Sequence, residues 1–217
     1  MSHINASGPA NLSAVALRIG VFGGSFDPPH NAHVCLAQVA LTQLGLTELH
    51  VVPTGIAWHK ARGLSAPEDR LAMSRLAFAD LARVVIDDRE LRRAGPTFTI
   101  DTLTTLHQEY PTAQLYLIMG ADQFAAFRNW HRWEAILEIA IICVAERATG
   151  TGASGLFDSF SGQNSRFLSL AMPPSSLSAT QVRQLFAGGS PVLTGNSTLV
   201  PAPVARYIED HVLYKAP

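Results

Sequence analysis

Two histidines three residues apart, His30 and His33, are the first residues in this sequence whose types and spacing suggest chemistry. They follow an apolar run from Leu17 to Phe22, which is typical of a buried strand, and a turn that contains Gly23-Gly24. The apolar residues after His33 have helical spacing, so both histidines fall near a helix N-terminus. Free backbone N–H groups at such a terminus favour an anion such as a phosphate.

Two other interpretations of this pair stay open at this point. Two histidines taken alone are more often surface or capping residues than functional ones. The spacing would also suit zinc, although no third ligand stands nearby and a strand, glycine turn and helix suit phosphate better. Asp27, in the loop Asp27-Pro28-Pro29, is expected to cap or rigidify the turn.

A second set of candidates for anion binding lies near the end of the chain. Ser178 suits a helix N-cap, Thr180 falls in the first turn, and Arg183 lies one turn further along. Arginine there can fork onto phosphate oxygens, although the same residues would fit a capped surface helix with an exposed arginine. Lys60, in a loop rich in Pro and Gly, is a flexible cation that can reach phosphates or remain solvated.

The elements that must position these residues alternate along the chain. Apolar runs predict strands at Leu17 to Phe22, Leu49 to Val52, Val84 to Ile86, Gln114 to Met119, Ile139 to Val144 and Phe167 to Leu170. Helices are predicted after His33 and over Pro67 to Leu81, Thr99 to Tyr110, Trp133 to Glu138, Ser178 to Phe186 and Pro203 to His211.

This alternation predicts a Rossmann-like α/β fold with a parallel sheet and right-handed crossovers. Ligands bind such sheets at the carboxyl ends of the strands. Three motifs fall at those ends: Gly23-Gly24, the loop from Thr54 onward, and Gly120-Ala121-Asp122.

Length and composition limit the class of protein. The chain has 217 residues, 47% of them hydrophobic and 15% charged, which suits one globular domain over residues 17–217. Residues 1–16 are rich in Ser, Asn, Gly and Pro and are expected to be a disordered leader. The formal net charge of −1 gives no support to nucleic-acid binding. No apolar run could span a bilayer and no secretory signal is evident, so we expect a cytoplasmic protein without a membrane partner, possible as a homo-oligomer.

Two smaller predictions concern residues outside these motifs. Cys35 and Cys143 each lie within an apolar element and are expected to be buried free thiols. Glu90, Arg92 and Arg93 are expected to form a solvated face.

The motifs together resemble a known family. Gly-Gly-Ser-Phe-Asp-Pro-x-His-x-x-His resembles the nucleotidyltransferase signature that ends in His-x-Gly-His, and the longer match is to bacterial nicotinate-nucleotide adenylyltransferases. The resemblance runs in order from about Leu17 to Tyr214, through Trp58-His59-Lys60, Gly95 to Leu103, Gly120-Ala121-Asp122, Asn129-Trp130 and Ser178 to Arg183. Ala32 departs from it, because it stands where the family usually has glycine.

The resemblance implies a nucleotidyltransferase-type fold with a small C-terminal helical part, and a reaction in which ATP and nicotinate mononucleotide give deamido-NAD and pyrophosphate. Mg²⁺ is expected to bind to the ATP phosphates, and no metal site built by the protein is expected. Two rivals remain: an adenylyltransferase for nicotinamide mononucleotide or phosphopantetheine, and a nucleotide-binding regulator that has lost catalysis. Residues 96–103 and Asn129-Trp130 argue against the first, and intact His30, His33 and Arg183 against the second.

The resemblance also assigns site residues. The catalytic set is His30, His33, Lys60 and Arg183. The ATP-binding set is Gly23, Gly24, Ser25, Phe26, His30, His33, Ser178, Thr180 and Arg183. The set that binds nicotinate mononucleotide is Ser25, Lys60, Thr97, Thr99, Asp122 and Trp130. Within this set, Trp130 would stack on the pyridine ring, unless it belongs to the core. Asp122 would accept hydrogen bonds from the ribose hydroxyls or cap a helix. Thr97 and Thr99 would donate hydrogen bonds to the carboxylate, and Thr99 is also a plausible helix cap.

Overall fold

A computed structural model describes residues 17–55, 63–146, 164–173, 175–188 and 199–215. Its strands are β1 (Arg18–Gly24), β2 (Glu48–Pro53), β3 (Val84–Ile86), β4 (Gln114–Gly120), β5 (Ala140–Glu146) and β6 (Phe167–Ala171). Its α-helices are α1 (Asn31–Gln43), α2 (Pro67–Ala77), α3 (Arg89–Arg92), α4 (Thr99–Glu109), α5 (Ala121–Ala125), α6 (Trp133–Ile139), α7 (Ala179–Ala187) and α8 (Ala202–Asp210). Short 3₁₀ turns cover Phe127–Asn129 and Asn164–Arg166.

The six strands form one parallel sheet in the order β3-β2-β1-β4-β5-β6. This is the order of a doubly wound fold, in which the direction of winding reverses between β1 and β4. The carboxyl ends of these two strands therefore flank a crevice, and β1 ends there at Gly24 while β4 ends at Gly120. The Rossmann-like α/β fold predicted from the sequence is confirmed.

Helices cover both faces of the sheet, so the central strands are buried on both sides, which explains why they are nearly continuous apolar runs. On one face α1, α2, α7 and α8 pack against the sheet through residues such as Leu41, Met73 and Ile208. On the other face α4, α5 and α6 pack through residues such as Leu103 and Ile136. None of the helices within the described ranges is long and apolar enough to cross a membrane.

The predicted elements match the structure closely, with three differences. Helix α2 ends at Ala77 rather than near Leu81, because the chain turns at Phe78. The short helices α3 and α5 were not predicted, since neither is long enough to show a hydrophobic period. Cys143 is buried and Cys35 is half-buried, and both are free thiols as expected. Residues 1–16 and Lys60 lie outside the described residues.

Helix α8 ends in a Schellman motif that places a valine where glycine is usual. The N–H of Leu213 donates to the Ile208 carbonyl at 3.0 Å, and the N–H of Val212 donates to the Glu209 carbonyl at 3.2 Å. Val212 accordingly has a φ of 53°, in the left-handed region that a β-branched residue disfavours. Its side chain is 59% exposed, so little packing offsets this strain.

We therefore expect Val212→Gly to stabilise the protein by about 1 kcal/mol, the cost of a left-handed conformation less the entropy that glycine adds to the unfolded chain. Urea unfolding of the two proteins, followed by circular dichroism, measures the difference. Val85→Gly is a matched control, because Val85 is also exposed but lies within strand β3. This control should lose stability, and a loss for Val212→Gly as well would contradict the prediction.

Candidate active site

A cavity of about 450 Å³ opens at the carboxyl ends of β1 and β4, where the sheet order reverses. It brings together ten of the site residues predicted from the sequence. These are Gly23, Gly24, Ser25, His30, His33, Thr97, Thr99, Asp122, Trp130 and Ser178. Segments that are far apart in the sequence thus meet in one place, as the position of the motifs at strand ends led us to expect.

The two histidines stack on each other at the N-terminus of helix α1. Their ring centroids lie 3.7 Å apart with an interplanar angle of 23°. The backbone N–H of His30 donates to Nδ1 of His33 at 3.1 Å. Since a backbone N–H can only donate, that Nδ1 carries no proton, and in the neutral ring the proton is on Nε2. His33 therefore presents an Nε2–H donor in a ring that lines the cavity.

His30 is buried, and its ring is neutral at physiological pH. Burial lowers the pKa of His30 from 6.5 to about 4, although a backbone hydrogen bond opposes the shift. Its side chain is 6% exposed, and its Nδ1 has no hydrogen-bond partner among the described residues. A buried polar atom without a partner is costly, so a group that binds in the cavity has a reason to interact here.

The lowered pKa of His30 predicts a loss of stability in mild acid. Between the unfolded value of 6.5 and the folded value of about 4, the unfolded chain binds more protons, so stability falls as the pH falls through this window. Between pH 7 and pH 5 this amounts to about 2 kcal/mol. Urea unfolding at both pH values should show that wild type loses about that much more than His30→Asn. Equal losses for the two proteins would contradict this account.

The N-terminus of α1 offers fewer free donors than the sequence suggested. The N–H of Asn31 already donates to the Leu199 carbonyl at 3.0 Å, and the N–H of His33 donates to the His30 carbonyl at 2.8 Å. The expectation of several free N–H groups at this end is therefore corrected, because a distant segment and a tight first turn use two of them. Ala32, in place of the family's usual glycine, lines the cavity beside them.

Phe26 and Gly24 shape the turn that carries the histidines. The Phe26 side chain is 1% exposed and packs edge-on against the His33 ring at 5.1 Å, so it supports the site and is not among the residues that line the cavity. A Cβ at Gly24 would lie 2.9 Å from the Phe26 ring, which is why glycine is needed there. A Cβ at Gly23 would meet no atom within 4 Å, so this residue leaves open space beside the cavity.

Helix α7 begins as predicted, and it is hydrogen-bonded to the turn of residues 25–30 that leads to the histidines. Ser178 is its N-cap, and the Ser178 hydroxyl accepts a hydrogen bond from the N–H of Gln181 at 3.3 Å. Arg183 donates from Nη1 to the backbone carbonyl of Asp27 at 2.7 Å and from Nη2 to the Thr180 hydroxyl at 3.0 Å. Thr180 and Arg183 lie beside the cavity rather than in its lining.

Thr97 is the second residue with an unused buried donor. It is 7% exposed and lines the cavity, and its hydroxyl oxygen has no hydrogen-bond partner among the described residues. Thr99 lines the same region but is the first residue of α4, whose N-cap is Phe98. The suggestion that Thr99 caps this helix is therefore corrected.

The expectation that Glu90, Arg92 and Arg93 form a solvated face is wrong for Glu90, which is buried. Glu90 is 7% exposed, and its carboxylate accepts a hydrogen bond from the Thr102 hydroxyl at 2.8 Å. Burial raises the pKa of Glu90, and the Thr102 hydroxyl, the charge of Arg93 and the backbone of Gly55 limit the rise. The Thr97 hydroxyl is also close enough to limit it, but its geometry does not make a hydrogen bond.

Trp130 and Asp122 both line the cavity and are both accessible to solvent in part. Trp130 is half-buried and packs edge-on against Phe127 at 5.6 Å, and so it is partly core and partly available to a ligand. Asp122 is exposed and is the second residue of α5, whose N-cap is Gly120. The alternative in which Asp122 caps that helix is therefore wrong.

Sequence reasoning missed several residues of the site. Glu90 and His131 line the cavity, and so does the connection from β6 to α7, with Met172 and Leu177. Glu90 follows the end of β3, so the rule that ligands bind at the carboxyl ends of strands, which led to the loop from Thr54 onward, could have identified it as well. His131, which packs against Phe98 at 4.4 Å, follows a turn that no local pattern marked.

The described residues contain no group of three or more His, Cys, Asp or Glu side chains that could hold a metal ion. The two stacked histidines therefore have no third ligand within this part of the chain, and the donor set does not fit a zinc site.

Comparisons with known proteins agree with this geometry. Residues 21–185 match the family model described as cytidylyltransferase-like. A probable nicotinate-nucleotide adenylyltransferase from Albidiferax ferrireducens is 53% identical over 198 residues, which cover 91% of this chain and 98% of that protein. The protein of the same name from Pseudomonas putida is 37% identical over the full length of both chains.

Solved structures show the same fold. Plasmodium falciparum nicotinic acid mononucleotide adenylyltransferase complexed with NaAD has a TM-score of 0.72 at 20% identity, and the match covers 91% of this chain and 97% of that one. Together with the match to the family model and the relatives above 30% identity, this shows that the chain belongs to the cytidylyltransferase-like family and, within it, to the nicotinate-nucleotide adenylyltransferases.

Proposed function

We propose that this protein transfers the adenylyl group of ATP to nicotinate mononucleotide in NAD biosynthesis. An oxygen of the nucleotide's 5′-phosphate attacks the α-phosphorus of ATP in line. The new P–O bond completes the dinucleotide deamido-NAD, and the bond from the α-phosphorus to the bridging oxygen breaks, so pyrophosphate leaves with the electron pair. No covalent intermediate with the protein is needed.

The observation that carries this proposal is a pair of residues that line one cavity and that each carry a buried polar atom without a hydrogen-bond partner among the described residues. His30 and Thr97 come from segments almost seventy residues apart in the sequence, yet both line the same cavity of about 450 Å³, and the atoms concerned are Nδ1 of His30 and Oγ1 of Thr97. Unpaired buried polar groups persist at sites whose ligand completes them. His30 lies near Gly23 and Gly24 at the end of β1, where the site suits phosphates. Thr97 lies near the start of α4, where the site suits a carboxylate.

The chemistry assigned to the chain's own residues is positioning and electrostatic stabilisation. The Nε2–H of His33 would donate to a phosphate oxygen whose charge grows in the transition state, where a pre-placed donor is most effective. His30 holds the adjoining position, and its pKa of about 4 makes it a neutral partner rather than a cation before the phosphates bind. Arg183 and Lys60 are assigned to the phosphates that become pyrophosphate.

The acceptor is assigned to the side of the cavity lined by Thr97, Thr99, Asp122 and Trp130. Trp130 offers a ring face for stacking on the pyridine, and Asp122 an acceptor for ribose hydroxyls. Mg²⁺ enters as part of the substrate, bound to the ATP phosphates, which suits the preference of this ion for phosphate oxygens and water over protein cages.

The direct test is product formation. Incubation with ATP, Mg²⁺ and nicotinate mononucleotide should release pyrophosphate and deamido-NAD in equal amounts, measured by a coupled pyrophosphate assay and by chromatography. ATP without an acceptor is the control and should release none. Pyrophosphate release without a dinucleotide product, or no release with any acceptor, would contradict the proposed function.

A further inference from the structure

We propose that Tyr214, close to the C-terminus, is a positioning residue for catalysis, because it fixes the histidine turn, residues 25–30, through the buried carboxylate of Asp27. The inference rests on the proposed function, since it assigns Tyr214 a role in that same reaction. The hydrogen bonds that the Tyr214 hydroxyl makes to described residues end on Asp27 and Met73, so its effect would pass through Asp27.

Asp27 is the point at which several segments hold this turn. It is 1% exposed, and its carboxylate accepts a hydrogen bond from the Tyr214 hydroxyl at 2.6 Å and one from the Ser65 N–H at 3.3 Å. Its backbone carbonyl accepts the bond from Arg183 at 2.7 Å. A buried carboxylate needs such partners, so the loss of one leaves a costly unsatisfied group.

A buried arginine, Arg70, is also hydrogen-bonded to this turn. Arg70 is 2% exposed and donates from Nη1 to the carbonyls of Ser25 at 3.1 Å and Thr54 at 2.7 Å, and from Nε to that of Ser65 at 3.1 Å. Burial lowers the pKa of Arg70, and the charge of Asp27 is the largest of the effects that oppose this. The carboxylate that Tyr214 holds is thus also the counter-charge of the arginine that fixes the ends of β1 and β2.

The C-terminal segment is shaped to bring Tyr214 to this place. After α8 the chain reverses through the left-handed Val212, and Tyr214 itself has a φ of 65°. Residues held in such conformations persist where the surrounding structure requires them. The chain just before α8 also reaches the site, where the Leu199 carbonyl accepts from the N–H of Asn31 at the start of α1. Burial and the bond to Asp27 raise the pKa of Tyr214, so its hydroxyl stays protonated as a donor.

A shift of Asp27 would reach two groups of the proposed catalytic set at once. His30 lies three residues further along the chain, and Arg183 is bonded directly to the Asp27 carbonyl. Because catalysis here depends on placement, a displacement well under 1 Å in these groups would slow turnover while leaving the acceptor side of the cavity intact.

The test removes the hydroxyl from two tyrosines, one that is hydrogen-bonded to Asp27 and one that is hydrogen-bonded to a residue outside the site. Tyr214→Phe removes the hydroxyl from Asp27, and Tyr207→Phe removes an equivalent bond of 2.9 Å from the Tyr207 hydroxyl to Asp69 of α2, outside the site. We expect Tyr214→Phe to lower kcat roughly tenfold, with KM for nicotinate mononucleotide within about twofold of wild type. Tyr207→Phe should keep nearly normal kinetics. Urea unfolding of both variants shows whether the two substitutions cost similar stability.

Each outcome decides the question. A fall in kcat for Tyr214→Phe that Tyr207→Phe does not share supports the positioning role. Equal kinetics for the two variants, or a loss for Tyr214→Phe confined to KM for nicotinate mononucleotide, overturns it. If wild type itself forms no dinucleotide, then the proposed function fails rather than this inference, so the two failures are distinguishable.

Discussion

Replacing His33 with alanine is expected to lower kcat by roughly 10²-fold or more, which is the scale of losing one pre-placed donor to developing charge. The structure gives a specific reason: the His30 N–H fixes Nδ1 of His33 as an acceptor and leaves the proton on Nε2, in a ring that lines the cavity. His30→Ala should have an effect of the same order. The steady-state rate of dinucleotide formation at saturating substrates measures both.

A graded substitution makes this prediction sharper. His33→Gln keeps an N–H donor near the position of Nε2, so it should retain more turnover than His33→Ala. His107→Ala is the control, because His107 is an exposed histidine in the last turn of α4. Circular dichroism should show all of these variants folded. Near-normal turnover in His33→Ala would refute the assignment of this site.

The sequence predicted the framework of the molecule because the framework depends on local patterns. Each strand is an apolar run, and the flanking helices bury the central strands on both faces; Ser178 could be identified as an N-cap from its place before an amphipathic stretch. Because the carboxyl ends of parallel strands share one edge, the position of the motifs at those ends was enough to predict that they meet.

What the sequence could not predict depends on contacts between distant residues. Glu90 follows a strand of three residues and resembles an ordinary surface acid, and only the fold shows that it is buried and accepts a hydrogen bond from Thr102. The same is true of Arg70, whose hydrogen bonds end on carbonyls up to 45 residues away. The N–H of Asn31 seemed free until the fold placed Leu199 against it.

The second large effect that we expect is discrimination between acceptors. Nicotinate mononucleotide carries a carboxylate where nicotinamide mononucleotide carries an amide. The Thr97 hydroxyl, which has no hydrogen-bond partner in the described part of the chain, and the positive end of α4, which begins at Thr99, would both favour the carboxylate. An amide NH₂ would instead face donors and leave them unpaired, and sites of this kind reject the wrong substrate strongly.

Glu90 is the buried acid nearest to this region and could in principle favour the amide. Its carboxylate, however, already accepts a hydrogen bond from the Thr102 hydroxyl, and Arg93 lies close enough to offset its charge. We therefore expect kcat/KM to favour nicotinate mononucleotide over nicotinamide mononucleotide by at least roughly 10²-fold, which corresponds to about 2.7 kcal/mol.

The most direct test is a measurement of kcat/KM for pyrophosphate release with each acceptor at saturating ATP and Mg²⁺, with phosphopantetheine as a third acceptor. The account predicts efficient release with nicotinate mononucleotide, at least roughly 10²-fold slower use of nicotinamide mononucleotide, and none with phosphopantetheine. Equal use of the two mononucleotides, or a preference for the amide, would contradict the assignment of the acceptor.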